Sequence, residues 1–468
     1  MIHDLKPYPA YKDSGVPWLG KVPEHWEVQK LKYLTQFYNG LAFKPSDWSN
    51  TGIPIIRIQN LNGSEEFNYT TRRDLSKFLI IHPGDLLFSW SGNRGTSFGP
   101  FIWRHPFEGY LNQHIFKLDG YKLDTHYFAY LLRAVTKHIE DQTHGIIGLV
   151  HITKPELGAV YVSVAPADEQ SAIVRYLDHF DRRIRHYIRA KKKLIKLLEE
   201  QKQAIIHQAV TRGLDPNVKL KPSGIEWLGE IPEHWEVKPA KWYYREVDER
   251  SSTGFEELLS VSHITGVTPR SEKNITMFMA ESYVGHKLCR EGDLVINTMW
   301  AWMAALGIAR QTGIVSPSYA VYRPIQKDAF LPQFIDLLLR TKPYVAEYVC
   351  RSTGIRSSRL RLYPEKFLSI PIIHPPIAEQ QAILDKIYDA TSELKNAIHT
   401  YNQGISLLRE YRTRLIADVV TGKLDVREAA VNLPEKADET GIEDNFEEET
   451  TEESLEEFVT EEMVEGEV

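Results

Sequence analysis

Two long stretches of the chain place residues on a line that steps alternately by four and three. The first line is Ile173, Leu177, Phe180, Ile184, Tyr187, Lys191, Leu194, Leu198, Gln201 and Ile205. The second is Ile383, Ile387, Ala390, Leu394, Ala397, Tyr401, Gly404, Leu408, Tyr411 and Leu415. That alternation keeps side chains on one seam of a helix and predicts coiled-coil packing. Lys191 and Gln201 interrupt the first seam, and Gly404 weakens the second. Pro166, followed by Asp168, Glu169 and Gln170, marks a helix start, and Gly213 is a natural stop. A helix over 168–212 would be about 65 Å long at 1.5 Å per residue. Elsewhere the pattern changes to short strand-like runs broken by Gly and Pro, such as Ile53–Ile58 and Gly84–Phe88. Two imperfect seams joined by a globular segment are expected to pair antiparallel. The alternative is that each packs on its own domain or on another protein.

The seams belong to a larger repetition. Ser14–Val28 returns as Ser223–Val237 with 11 of 15 positions identical at an offset of 209. Gly84-Asp85-Leu86 returns as Gly292-Asp293-Leu294, and Pro155-Glu156 as Pro364-Glu365. Glu169-Gln170 with Ala172-Ile173 returns as Glu379-Gln380 with Ala382-Ile383, and Leu214-Asp215 as Leu424-Asp425. The order is kept, so one unit of about 210 residues is present twice, which implies a pseudo-two-fold molecule. The expected fold class is α+β. The expected parts are a mixed domain over 1–165, a long helix over 166–215, a second mixed domain over 216–375, a second long helix over 376–428, and a tail over 429–468.

Charge divides the chain unevenly. Its net charge is −7, but Pro434–Val468 holds 16 Asp and Glu against Lys436 alone and carries −15, which leaves the rest at +8. A basic body suggests an anionic partner, while a block of like charge is expected to repel itself and stay unfolded. The chain has 468 residues, 42% hydrophobic, and its longest apolar stretch, Met299–Ala309, is too short to span a bilayer. The beginning, MIHDLKPYPAYKDS, has no apolar core of a signal peptide. Two cysteines, Cys289 and Cys350, make neither a disulfide framework nor a cysteine-rich zinc site. A cytoplasmic protein is expected.

No catalytic signature emerges. Thr421-Gly422-Lys423-Leu424 fails as a phosphate loop, and no G-x-G-x-x-G follows a strand. His374-Pro375-Pro376-Ile377 lacks the polar first residue and the stacking aromatic of an amino-methyltransferase motif. His25 and His234 sit in the repeated Pro-Glu-His-Trp turn, where a structural role explains their duplication. What the variable parts offer is groove readout by polar side chains. In the first half these are Arg57, Gln59, Asn60 and Asn62 after a strand, then Trp90, Ser91, Asn93 and Arg94 in a Gly-rich loop. In the second they are Ser260, Ser262, His263, Thr265, Arg270 and Lys273, then Ser316, Ser318 and Tyr319, then the basic run Arg356, Arg359 and Arg361. The first half has no equivalent of that run, so the halves are expected to read different sequences.

With these motifs in order, the chain resembles the specificity subunits of type I restriction–modification systems. The features that carry the resemblance are the Trp-Leu-Gly…Pro-Glu-His-Trp-Glu-Val entries, Gly52–Leu61, Gly84–Ser91, and the Pro-x-x-Glu-Gln-x-Ala-Ile helix starts at 166–173 and 376–383. It covers about residues 10 to 428 and leaves the acidic tail outside. The resemblance implies two pseudo-symmetric target recognition domains separated by an antiparallel coiled coil. Each domain would read one half of a bipartite, asymmetric site in double-stranded DNA. The coiled coil would set the spacer and dock the modification subunits. The implied seam residues are Ile173, Leu177, Phe180, Ile184, Leu194, Leu198, Ile205, Ile383, Ile387, Leu394, Leu408 and Leu415. The implied partners are two modification subunits binding S-adenosylmethionine and two restriction subunits using ATP and Mg, with no cofactor, metal or catalysis in this chain. The alternative is a coiled-coil scaffold without DNA specificity.

Overall fold

The computed structural model describes residues 5–142, 149–272, 282–326, 328–354 and 360–434. The chain forms two compact units, residues 1–189 with 404–468, and residues 190–403. One long helix, Ala167–Arg212, begins in the first unit and ends in the second; the other, Ile377–Val420, begins in the second and ends in the first.

In the first unit, two strands buried along nearly their whole length and two partly exposed outer ones build a four-stranded antiparallel sheet in the order Gly99–Ile102, Leu86–Ser89, Ile115–Asp119, Gln36–Asn39. A second four-stranded sheet runs Asn68–Thr70, Ile53–Ile56, Gly109–Leu111, Ile80–Ile81, with Ile53–Ile56 parallel to Gly109–Leu111. Helix Thr125–Gln142 lies close against strand Gly99–Ile102. The approach requires glycine at 99, because a Cβ there would meet the Thr136 hydroxyl at 2.9 Å. Phe88, Phe116, Phe128 and Leu131 fill the core beneath it.

The second unit repeats the plan with the antiparallel order Tyr244–Val247, Ala320–Pro324, Leu294–Ile296, Leu306–Ile308. Its covering helix is split into Pro332–Leu339 and Lys342–Arg351, with Pro343 in the first turn of the latter. Proline there lacks the N–H that a continuous helix would use.

The duplicated motifs are the pins of this frame. Asp85 accepts from Lys117 Nζ at 2.5 Å, and Asp293 takes a two-pronged bond from Arg323, at 3.0 and 2.9 Å. The two bases are not register equivalents. Lys117 lies opposite Leu87, whereas Val321 lies opposite Val295, so Arg323 stands two residues further along its strand. The Pro-Glu-His-Trp turns grip the helix starts. Glu169 accepts from Trp26 Nε1 at 3.1 Å and Tyr8 OH at 3.0 Å, with His25 Nε2 at 2.6 Å. Glu379 is held by Trp235 Nε1 at 3.0 Å and His234 Nε2 at 2.8 Å. Gln170 and Gln380 tie their helix starts to the backbone at Asp124 and Leu331. These contacts account for His25 and His234 as structural residues.

Within each unit the two long helices run antiparallel. In the first, Ile173, Tyr176 and Leu177 share a core with Leu415, Ile416 and Val419. In the second, Ile206, Ala209 and Val210 share one with Ile383 and Ile387. Lys191, the interruption in the first seam, lays its ammonium 5.0 Å from the Tyr401 ring centre. The inward line of the first helix differs from the strict alternation. Leu194 is 43% exposed, and the inward residues are Ile173, Leu177, Asp181, Ile184 and Ile188, then half-buried Lys191, Ile195 and Leu198. An additional step of four before Asp181 displaces every second position by one residue, the signature of a stutter in a helix of 3.6 residues per turn. Phe180 and Ile205 are half-buried, as are Leu394 and Leu408 on the second helix, where Ile405 is buried beside Gly404.

The second long helix stops at Val420, short of the expected 428, because Gly422 turns the chain with φ +78°. Residues Arg427–Val431 then form a short helix with Ala430 buried, so ordered chain continues past the expected tail boundary at 429. Among the described residues no helix is long and apolar enough to cross a membrane.

Candidate nucleic-acid interface

In the first unit, the strand Ile53–Ile56 passes into a single helical turn, Ile58–Leu61. Arg57 caps that turn. Its guanidinium donates to Asn68 Oδ1 at 3.0 Å and lies 5.8 Å from the Trp48 ring centre. Arg57, Ile58 and Gln59 line a shallow open cleft together with Asn112, His114 and Ile115. His114 connects this cleft to the Gly-rich loop, because its ring packs 5.0 Å from Trp90 and its carbonyl accepts the Trp90 N–H at 3.1 Å. Trp90 in turn meets His151 edge-on at 4.9 Å, and strand Ser91–Asn93 pairs with Leu149–His151. Thus the two sets expected from the sequence, 57–62 and 90–94, are brought together by residues 112–114. Burial, then the charge of His151, holds the His114 pKa below the usual imidazole value. Its Nδ1 is buried without a hydrogen-bond partner among the described residues.

Two of the first-half candidates are structural instead. Asn60 is 2% exposed, and its amide is consumed within its own loop by the Arg57 N–H and the carbonyls of Ser64 and Glu66. A buried amide with satisfied donors has nothing left for a base edge. Trp90 is half-buried, donates from Nε1 to the Gln113 carbonyl at 3.0 Å and stacks on Phe116, so it is a wall of the cleft. Asn62 caps the short helix from its end, Gln59 reaches the Glu66 carbonyl at 3.4 Å, and Asn93 and Arg94 stand exposed with Ser91 half-buried at the start of the loop.

In the second unit, the hairpin Leu259–Ser262 with Gly266–Pro269 carries Ser260, half-buried, and turns through His263 and the exposed Thr265. Ser262 Oγ accepts the Ile264 N–H at 3.1 Å, and Arg340 donates to the carbonyls of His263 and Ile264. Arg270 follows the hairpin, near Tyr319, whose pKa is raised by burial and partly lowered by Arg270. Tyr319 packs against the core around Val261, and Ser316 Oγ accepts the Ser318 N–H at 3.3 Å, so Tyr319 and Ser316 mainly shape their turn. Thr298 joins this turn to the last candidate, donating to the Ser318 carbonyl at 2.9 Å and accepting the Leu362 N–H at 2.8 Å beside the exposed Arg361. Lys273, Arg356 and Arg359 lie outside the described residues.

Strand register makes Thr298 and Ser318 the counterparts of Trp90 and His114. The same place on the repeated frame therefore holds two aromatic rings in one unit and two hydroxyls in the other. Sequence reasoning misses Asn112, His114 and Arg340. Their signal is present only in the fold, since nothing local distinguishes Asn112-Gln113-His114 from an ordinary loop.

Comparison with known proteins agrees with this arrangement. Residues 23–197 match the family described as the type I restriction modification DNA specificity domain. The chain is 22% identical over 431 residues to the MjaVIII specificity subunit of Methanocaldococcus jannaschii, covering 87% of this chain and 95% of that protein. It is 22% identical over 443 residues to the EcoBI specificity subunit of Escherichia coli, covering 90% of each. A further specificity subunit of M. jannaschii, designated MjaX, is 28% identical over 235 residues, a match that spans about half of either chain, 47% and 52%. A chain solved in a study of complex assembly in the type I R-M system shares the fold, with a TM-score of 0.56 over 86% of this chain and 99% of that one at 14% identity. Residues 23–197 thus carry the type I restriction modification DNA specificity domain, and over most of its length the chain is similar to the specificity subunits of type I restriction enzymes.

Proposed function

We propose that the two units read the two halves of a bipartite, asymmetric DNA site. The observation that carries this reading is the contrast of His114, beside its Trp90 wall, with Ser318 at the equivalent place on a duplicated frame. Base edges are distinguished by donor, acceptor and methyl patterns, so different side chains on the same frame select different bases. Arg57, Gln59, Asn93, Arg94, Asn112 and His114 would serve the first half-site. Ser260, Thr265, Arg270, Ser318 and Arg361 would serve the second, with Lys273, Arg356 and Arg359 from outside the described residues. The long helices run from one unit into the other, so their length would set the spacer, as half-site spacing is a matter of geometry on the duplex. Two modification subunits, binding S-adenosylmethionine, would dock on this chain, and two restriction subunits, using ATP, would complete the complex in the cytoplasm.

The test is co-expression with a modification subunit, followed by base-resolution mapping of adenine methylation. A split motif with a fixed gap is expected, and exchanging residues 30–155 should alter one half only. Methylation that is indifferent to the presence of this chain would end the reading.

A further inference from the structure

We propose that the acidic segment 435–468 lies along an exposed basic stripe of the first long helix, where it acts as an intramolecular polyanion. The stripe is built by spacing. Arg175, His179, Arg182, His186 and Arg189 follow each other by four and three, which places them on one line of the helix beside the inward seam. All five lie in the first unit, and all but the half-buried His179 are exposed. Among the described residues the helix's own carboxylates form no ion pair with them. Asp178 accepts from Tyr130 OH at 2.6 Å, and the buried Asp181 is taken by Arg412 and Arg185. From Arg182 to Leu198 the sequence has no acidic residue.

The chain itself delivers the occupant. Arg175, the first residue of the stripe, donates to the carbonyl of Leu433, so the acidic segment starts where the stripe starts. The run from Arg175 to Arg189 covers about 21 Å at 1.5 Å per residue. Random-coil scaling for a chain as long as residues 435–468 gives roughly 30 Å, enough to reach along the stripe without stretching. With 16 carboxylates in Pro434–Val468, charge is complementary along its whole length. Tethering supplies a local concentration of about 1 mM, so an intrinsic affinity of only about 0.1 mM would fill the stripe roughly ten times in eleven. That advantage favours the chain's own segment over any untethered polyanion of similar charge. While the segment is in place, the stripe is closed to DNA phosphates, so loose, sequence-independent binding is suppressed.

The experiment uses the full chain. Arg182→Lys and Arg189→Lys keep the charge and supply amines for carbodiimide coupling to carboxylates. At low salt, mass spectrometry is expected to find cross-links from residues 435–468 to both positions, at least fivefold above an Arg73→Lys control on the same unit. Raising the salt to shorten the screening length should remove them. Equal coupling at Arg73→Lys, or none at 182 and 189 while the segment couples to native lysines, overturns the proposal. A second readout is affinity for a non-specific duplex. Glu447→Gln, Glu448→Gln, Glu449→Gln, Glu452→Gln and Glu453→Gln together should tighten it about tenfold, and Arg182→Glu with Arg189→Glu should abolish that difference. A difference that survives the reversal would place the competition elsewhere and overturn it too. The cross-linking involves no DNA, so its failure is separable from failure of the half-site reading.

Discussion

Replacing Glu169 by Ala should damage the first unit far more than the equivalent change damages the second. Glu169 is buried and takes hydrogen bonds from Trp26 Nε1 and Tyr8 OH, both of which are buried. Each buried donor left without an acceptor costs about 1–3 kcal/mol, so removing the carboxylate should cost about 4 kcal/mol for the pair. Arg427, at 3.2 Å, has a side chain 40% exposed; water replaces its bond and it adds little. Glu379 differs in two ways. Its side chain is 27% exposed, and Trp235 is its one buried donor, so Glu379→Ala should cost only about 1–3 kcal/mol. Glu169→Gln keeps an acceptor for the indole and the phenol and should fall near ~1 kcal/mol. Native-state hydrogen exchange read in helix Thr125–Gln142 for the first unit and Lys342–Arg351 for the second separates the effects. A Glu169→Ala loss below about 1 kcal/mol in the first unit, or a larger loss from Glu379→Ala, would refute the account of the turns as clamps.

Three further outcomes follow from the same geometry. Burial pushes the Asp181 pKa up, but Arg412, Arg185 and Arg133 outweigh it and leave it below the usual carboxylate value. Its contribution to stability is therefore present above the unfolded value of about 4 and is lost as pH falls through the lower folded value; Asp181→Asn should flatten acid denaturation of the first unit between about pH 5 and 2, and an unchanged acid limb would contradict this. Gly422→Ala should cost about 3 kcal/mol in urea unfolding, since φ is +78° and a Cβ would meet Pro23 Cδ at 2.3 Å, whereas Gly84→Ala, at φ +90° with open space around it, should cost only about 1 kcal/mol; equal losses would show that the close approach is irrelevant. Arg57→Ala should relax methylation at one half-site and leave the other intact, and a loss shared equally by both halves would sink the two-reader arrangement.

The internal repeat makes most of the frame legible from the residues alone. Glu169 with Glu379, His25 with His234, and Asp85 with Asp293 stand out as matched pairs, and each pair proves to do one mechanical job twice. What the sequence conceals is partner identity. The acceptor of the Trp26 indole is 143 positions away, and only the fold brings it there. The seam is misphased at Leu194 because a strict alternation of four and three cannot show where a helix takes an additional step of four. The candidate interface is half legible. Arg57, long and charged after a strand signal, and Arg94, in a Gly-rich loop, are nominated by residue type and position alone. Asn60 looks the same in sequence, yet its amide closes its own loop. Asn112 and His114 carry no local pattern and become visible only as walls of a cleft made by a sheet neighbour.

Comparing the two halves separates holding from reading more sharply than either half alone. A carboxylate that must be pinned is kept between halves even when its counter-ion is not. Asp85 and Asp293 are the same residue of the repeat, whereas Lys117 and Arg323 come from positions two residues apart on the corresponding strand. The requirement acts on the carboxylate, half-buried at Asp85 and buried at Asp293, which needs a cation but is indifferent to which strand position supplies it. The positions proposed to read DNA obey the opposite rule. His114 and Ser318 occupy matched backbone sites, and each carbonyl accepts from the residue across from it, the Trp90 main-chain N–H in one unit and the Thr298 hydroxyl in the other, while their side chains differ in chemistry. A frame that tolerates such replacement while its clamps stay fixed can change a half-site without altering its fold. Replacing His114 by the second unit's serine should therefore leave stability within about 1 kcal/mol, since its buried Nδ1 has no partner to lose, while altering the methylated half-site. Loss of folding with no intermediate change of specificity would mean that this position holds the frame rather than reads the DNA.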